Sequence, residues 1–288
     1  MKFNLLKRFS VATMAVVATV GLTFGGFTEK AEAASVSGKV VIAGSTALLP
    51  LTNQAKKEFT KLNPRVSISV SGSSSIAGPQ SVLKGSATLG ACDWDATQSV
   101  PGFKAFSGLK AHKIAVIPFA TIVNKENPVK SLTTKQLQEI FSGKIKNWKQ
   151  VGGKDEEIVV VNRKSGSGTR VNYQMKALKG SSFMSGGNYK EVGKSGEMAS
   201  AVESNPNAIG FTDLAYVKGN IKALAYNGVP ATVDNVINGK YTVWGYGYLL
   251  TKGEPKGAAA AFIKYMQSSK FQNGSLKTLK FVPISKVK

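Results

Sequence analysis

Short apolar runs alternate with stretches of helical periodicity along this chain, a pattern that predicts an α/β fold with a largely parallel sheet. Residues 39–43 form the first such run. Beyond Gly44-Ser45-Thr46, apolar side chains recur at Leu48, Leu51, Ala55, Phe59 and Leu62. These steps of three and four turn one helix face to a core, and Asn63-Pro64 stops the helix. Residues 66–70 alternate as a strand does, and residues 76–83 predict a short helix with Pro79 in its first turn. Strands are expected over 88–91 and over 114–123, the latter an apolar run that contains Pro118 and leads into a crossover. Thr133 or Thr134 caps a helix through Leu137, Ile140 and Phe141, which Gly143 ends. Val159-Val160-Val161 reads as a buried strand running into a glycine-rich turn, with a helix over 171–178. Further on the pattern predicts a loop over 184–189, a helix over 197–203 and strands over 208–211 and 243–250. Helices are predicted over 258–266 and 271–279, and no internal repeat appears.

The first residues have the form of a targeting segment. Lys2, Lys7 and Arg8 precede an apolar run over 11–24, and Ala31-Glu32-Ala33 fits the small-x-small rule for cleavage. Residues 1–33 therefore read as a signal peptide, with Ala34 the first mature residue. An uncleaved anchor helix is the alternative, but the run is short for a bilayer and a cleavage site follows it. With no cysteine near that site, release without a lipid anchor is expected, which places the protein in the extracytoplasmic space. The 255 residues left of 288 suffice for two modest lobes or one large domain, and no other segment could span a membrane. Cys92 is the single cysteine, so no internal disulfide is expected, and Leu89-Gly90-Ala91-Cys92 reads as a buried small hydrophobe.

Charge adds a constraint. The formal net charge of +22 falls to +20 once Lys2, Lys7, Arg8, Lys30, Glu29 and Glu32 are removed, and such a surface attracts polyanions. The lysines are scattered, with neither zinc-finger spacing nor an aromatic RNA-binding signature, so nucleic acid is not expected as a partner. An anionic cell-wall polymer is the more natural counterpart and would keep an unlipidated protein near the cell.

The candidate chemistry lies in three turns of one form: strand, small hydroxyl residues, helix. They are Gly44-Ser45-Thr46, Ser73-Ser74-Ser75 and Gly166-Ser167-Gly168-Thr169. Each alone is an ordinary capped helix start. Together with Arg163, whose guanidinium can grip two oxygens, they suggest one oxyanion held by converging helix N-termini at the carboxyl ends of strands. Asp93 then has a specific use: an ionised carboxylate only accepts, so beside an anion it can take an O–H from hydrogen phosphate but finds none on sulfate. Asp93 and Asp95 could instead be solvated turn residues; without a third ligand, no metal is expected.

These residues carry a resemblance. Ala43-Gly44-Ser45-Thr46, the Ser-rich turn followed 18 residues after Ser75 by Asp93, Leu132-Thr133 through Gly143-Lys144-Ile145-Lys146-Asn147-Trp148, and Arg163 followed by Ser167-Gly168-Thr169 make the chain resemble the periplasmic-type phosphate-binding proteins. Those proteins are the capture subunits of the phosphate-specific ABC transporter. The resemblance spans essentially all of the expected mature chain and implies a two-lobed α/β fold of the type II periplasmic-binding-protein kind, with mixed, mostly parallel sheets and a ligand cleft between lobes. One lobe would combine 34–117 with 245–288, and the other would hold 118–244. Carried over residue by residue, Thr46 would donate its hydroxyl and Ala47 its N–H. Ser75 would donate both hydroxyl and N–H, and Asp93 would accept the phosphate proton. Arg163 would bind charge, and Ser167, Gly168 and Thr169 would supply N–H groups, with hydroxyls from Ser167 and Thr169. Ser45 and Ser74 are neighbours of unassigned role, and Ser74 could replace Ser75 because Ile76-Ala77 follows where the family usually has glycine. Ser165 stands where the family often has an acid that restrains the arginine. The resemblance implies inorganic phosphate and a membrane permease as partners, a monomer, no cofactor and no catalysis.

Rival readings have weaker support. A secreted serine hydrolase needs a base, yet His112 is the only histidine, before a strand, and Gly166-Ser167-Gly168 does not have the glycine spacing of a nucleophile elbow. A binder of sulfate, molybdate or a phosphonate remains, though Asp93 disfavours fully ionised anions. A cationic cell-wall-associated protein is the third.

Overall fold

Each strand or helix forms where the chain can bury one face. In the computed structural model, which describes residues 36–287, the first elements are β1 (Gly38–Gly44), α1 (Leu49–Leu62), β2 (Val66–Gly72), α2 (Ala77–Leu83), β3 (Leu89–Cys92), β4 (Leu109–Asn124), β5 (Ser131–Leu132) and α3 (Thr134–Phe141). Next come β6 (Val159–Arg163), α4 (Gly168–Lys176), β7 (Tyr189–Val192), α5 (Ser195–Glu203), β8 (Ala208–Asp213), β9 (Ile221–Ala223) and β10 (Ala225–Tyr226). The last are α6 (Val233–Ile237), β11 (Trp244–Lys252), α7 (Gly257–Gln267), α8 (Ser269–Asn273) and α9 (Ser275–Thr278). The signal peptide expected over 1–33 lies outside the described residues.

Among the described residues, nine strands form one mixed sheet in the order β2-β1-β3-β11-β4-β8-β6-β7, with β9 also on β4; β10 and β5 pair separately. The flanks are parallel, β1 lying between β2 and β3, and β6 between β7 and β8. The centre is antiparallel: β11 runs against β3 and β4, and β4 against β8 and β9. The fold is thus α/β, with the parallel character expected from the sequence confined to the flanks. β4 links them. Its first part pairs with β11 as far as Pro118, opposite Trp244, and its second part pairs with β8 from Phe119, opposite Asp213. Proline cannot donate to a ladder, so Pro118 sits where one set of partners gives way to the next.

Local chemistry explains most element ends. Helix α1 has Pro50 in its first turn, buries Leu51, Thr52, Ala55 and Phe59, and closes with the Asn63 N–H on the Phe59 carbonyl. Leu62, expected on the same face, is exposed at the end of the helix. Thr133, rather than Thr134, caps α3, in a reciprocal box with Gln136, and Gly143 follows with positive φ.

Five expectations need correction. β4 begins at Leu109, five residues before the apolar run, because Leu109–Lys113 is a half-exposed segment paired with β11. The loop expected over 184–189 holds as far as Asn188, but Tyr189 opens the unexpected strand β7, whose exposed Lys190 and Glu191 interrupt any apolar run. Helices α4 and α5 start at Gly168 and Ser195, three and two residues earlier than expected. The single helix expected over 271–279 is two, α8 and α9, broken at Gly274 where the backbone turns to φ −101° and ψ −111°.

The core that positions the site is aromatic. Tyr173 on α4 stacks on Phe211 of β8 with ring centroids 4.2 Å apart, and Phe141 and Phe183 pack edge-on and stacked around them. The Tyr173 hydroxyl is 2.6 Å from Thr121 Oγ1 on β4, so α4 is tied to two strands at once.

Candidate anion site

Every parallel strand of the two flanks ends near the same region, and the turns that follow supply its polar groups. Gly44, at the end of β1, has φ +134°, and a Cβ there would lie 2.1 Å from the Ala91 carbonyl oxygen. Only glycine allows β1 and β3 to approach so closely. Ser45 follows, buried: its Oγ donates to Asp93 Oδ1 and accepts from the N–H groups of Ala47 and Leu48 at 3.1 and 3.3 Å. The Ala47 N–H, expected to face a ligand, is therefore engaged by Ser45, and Ser45 gains a role the sequence left open: it holds Asp93.

Thr46 is the hub. Its Oγ1 accepts from Arg163 Nη2 at 3.2 Å and from the Ser195 N–H at 3.1 Å, and lies 3.1 Å from Ser195 Oγ. Its carbonyl accepts the Tyr216 hydroxyl at 2.8 Å. Ser75 is buried, its Oγ accepting the Asp93 N–H at 3.3 Å. Ser74 is half-buried beside Gly166, so Ser75 is the serine placed at Asp93. Asp93 itself is buried, with Thr169 Oγ1 3.4 Å from Oδ2 and its carbonyl accepting from Asn172 Nδ2 at 2.8 Å.

The second flank brings Arg163, Ser167, Gly168 and Thr169, all buried. Ser167 caps α4 by accepting the Arg170 N–H at 3.2 Å. Gly168 is a close contact: a Cβ there would lie 2.5 Å from Ser75 Oγ and 2.6 Å from Asp93 Cβ. The Arg163 guanidinium donates to Ser195 Oγ at 3.2 Å and to the Gly193 carbonyl at 2.8 Å, so that carbonyl supplies a restraint that Ser165 does not. All the expected site residues except Ser74 are thus buried around one volume.

The electrostatics match an anion site that tolerates a proton. Burial pushes the Asp93 carboxyl above its ordinary range, while Ser45, Ser75, Arg163 and Thr169 pull the other way. Burial likewise lowers the Arg163 pKa, against the opposing charges of Asp93, Asp213 and Glu197.

Three participants are not evident from the sequence pattern. Ser195, fully buried, opens α5 after Gly193-Lys194. It repeats the strand, small residue, helix form of the other three turns, and that signal was hidden because β7 resembles a loop. Tyr216 and Asp213 lie at the end of β8, where no local motif marks them. By contrast His112 is bonded to Thr251 Oγ1 at 2.9 Å rather than to a serine, and burial lowers its pKa. Cys92 is fully buried, and burial holds its thiol well above the usual range, as suits a small hydrophobe. Among the described residues no group of three or more His, Cys, Asp or Glu could hold a metal ion.

Residues 29–270 match the PBP superfamily domain. The phosphate-binding protein PstS of Bacillus subtilis (strain 168) is 34% identical over 253 residues, covering 88% of this chain and 83% of that protein. A phosphate ABC transporter substrate-binding protein from Clostridium perfringens, solved with bound phosphate, is 33% identical with a TM-score of 0.78 over 86% of this chain and all of that one. An ABC-type phosphate transport receptor from Vibrio cholerae is 26% identical with a TM-score of 0.67, covering 84% of this chain and 99% of its own. The chain belongs to the PBP superfamily and, within it, to the family of phosphate-binding ABC substrate-binding proteins.

Proposed function

We propose that this protein captures inorganic phosphate outside the cytoplasmic membrane and delivers it to the permease of an ABC importer. The observation that carries the reading is Asp93: a buried carboxylate held by the Ser45 and Thr169 hydroxyls, in the field of the Arg163 charge, suits an anion that still bears a proton. The relatives' names and the phosphate-bound structure support the same choice. Thr46, Ser75, Asp93, Arg163, Ser167, Gly168 and Thr169 are the proposed ligand set, joined by Ser195. Ala47 contributes by orienting Ser45, and Ser74 stands outside the set. Binding and release need no bond made or broken.

The handover at Pro118 supports the division into lobes of 34–117 plus 245–288 and of 118–244, since β4 leaves one flank there and β11 returns from 244. Thr46, Ser75 and Asp93 then belong to one lobe and Arg163 to Thr169 to the other, so the ligand favours the closed arrangement. The monomer is the proposed working unit, and the positive charge would hold it on anionic wall polymer; release by salt from wall material tests that part. Among the described residues, no helix is long and apolar enough to cross a membrane.

Calorimetric titration of phosphate-stripped protein tests the main reading. Tight one-to-one phosphate binding with little sulfate binding is expected. A folded protein that ignores phosphate but binds another oxyanion refutes it.

A further inference from the structure

Asp213 is a second carboxylate at the anion site, and nothing so far uses it. It ends β8, is 1% exposed, and neither of its side-chain oxygens has a hydrogen-bond partner. Arg163 Nε, also buried, lacks one too. The two residues are neighbours by topology: β6 and β8 are parallel with Val160 opposite Ile209, so Arg163 ends β6 level with the last residues of β8. Asp213 also opens the turn that carries Tyr216, whose hydroxyl is fixed on the Thr46 carbonyl. The charged and titratable groups around it are Asp93 of the first flank, Arg163 of β6 and Tyr216 of its own turn, with Glu197 of α5 acting on Arg163.

An ionised carboxylate without a partner is too costly to keep in a buried site that already holds Asp93. One arginine cannot balance two carboxylates and a phosphate dianion as well. We propose that Asp213 is a specificity-determining residue that carries a proton into the phosphate complex, so that the bound state always holds one proton more than Asp93, Asp213 and hydrogen phosphate would hold if both carboxylates were ionised. That proton sits either on Asp213, which then donates to an unprotonated phosphate oxygen, or on the ligand, which is then dihydrogen phosphate donating to Asp213. The two forms differ only in where the proton rests, so the affinity follows the total proton count. The inference rests on phosphate being the ligand. Burial first, and then the Asp93 charge, keep Asp213 well above the usual carboxylate range against the pull of the Arg163 charge, which agrees with a neutral group in the free protein.

The test is phosphate affinity from about pH 6 to pH 9.5 on the full chain, for wild type and Asp213→Asn, corrected for the ionisation of phosphate itself. Wild type should lose affinity by about tenfold per pH unit above the pH at which Asp213 ionises, and Asp213→Asn, which cannot ionise, should lose that slope. A second measurement needs no variant: titration of wild type in buffers of different ionisation heat should show net proton uptake with phosphate above that pH. Equal slopes in the two proteins, a flat wild-type profile or no proton uptake each overturn the role of Asp213 while leaving phosphate capture intact. Binding of sulfate but not phosphate by wild type removes the phosphate reading and this inference with it.

Discussion

Gly168→Ala tests the seat of the anion by steric means alone. Gly168 is in the first turn of α4 with ordinary helical backbone, so alanine costs nothing conformationally. Its Cβ, however, would stand 2.5 Å from Ser75 Oγ, 2.6 Å from Asp93 Cβ and 2.8 Å from Asp93 Oδ2, where non-bonded heavy atoms prefer about 3.5–4.0 Å. Both neighbours are buried, so they must shift by roughly 1 Å and cannot do so freely. Overpacking of this kind costs about 1–3 kcal/mol of stability. Displacing Asp93 from a charge-assisted bond to the ligand costs about 1.5–3 kcal/mol more, which raises the phosphate Kd about ten- to a hundredfold. Gly186→Ala is the control, because a Cβ there meets nothing within 4 Å. Calorimetry and thermal melting of both variants separate the two costs. A Gly168→Ala protein that melts lower but binds phosphate within about twofold of wild type would show that the ligand does not touch the Ser75–Asp93–Gly168 contact.

Three further outcomes are expected. Asp93→Asn should lower the phosphate-to-sulfate selectivity ratio, since the amide can donate to an unprotonated oxygen; an unmoved ratio in competition titration removes the proton-acceptor role. Arg163→Ala should weaken phosphate binding by about 2–4 kcal/mol, as truncating a buried charge does, and a change within error would place the guanidinium outside the site. Asp213 has a raised folded-state pKa, so above the ordinary aspartate range the folded form holds protons that the unfolded form has released. Its contribution to stability is fully present at acid pH and is lost as pH rises through the folded value. Melting of phosphate-free protein should therefore show Asp213→Asn gaining on wild type between about pH 4 and pH 8, and a constant gap would refute the shift.

The sequence made some of this legible and hid the rest for physical reasons. Leu51, Ala55 and Phe59 show their helix because burial on one face leaves a period, and Arg163 with its glycine-rich turn shows an anion grip because few other uses need those groups together. Ser195 was hidden because β7 is only four residues long with Lys190 and Glu191 exposed in its middle, so no apolar run announced the strand before it. Asp213 was hidden because Arg163 is fifty residues away in sequence, and only the β6–β8 pairing brings the two level. The antiparallel centre was equally silent: a buried apolar run is compatible with either direction, and the pairing of β4 with β11 is decided by topology.

The place of β11 has a consequence for the order in which the chain matures. β1, β2 and β3 are complete by residue 92, but the strand that lies against β3 is not made until residues 244–252. A chain emerging from its N-terminus can therefore finish β6, β7 and β8 and their helices while β3 still exposes an unpaired edge. The first flank closes only when nearly the whole chain is present, so long-range pairing comes last and the early edge is open to intermolecular pairing in the meantime.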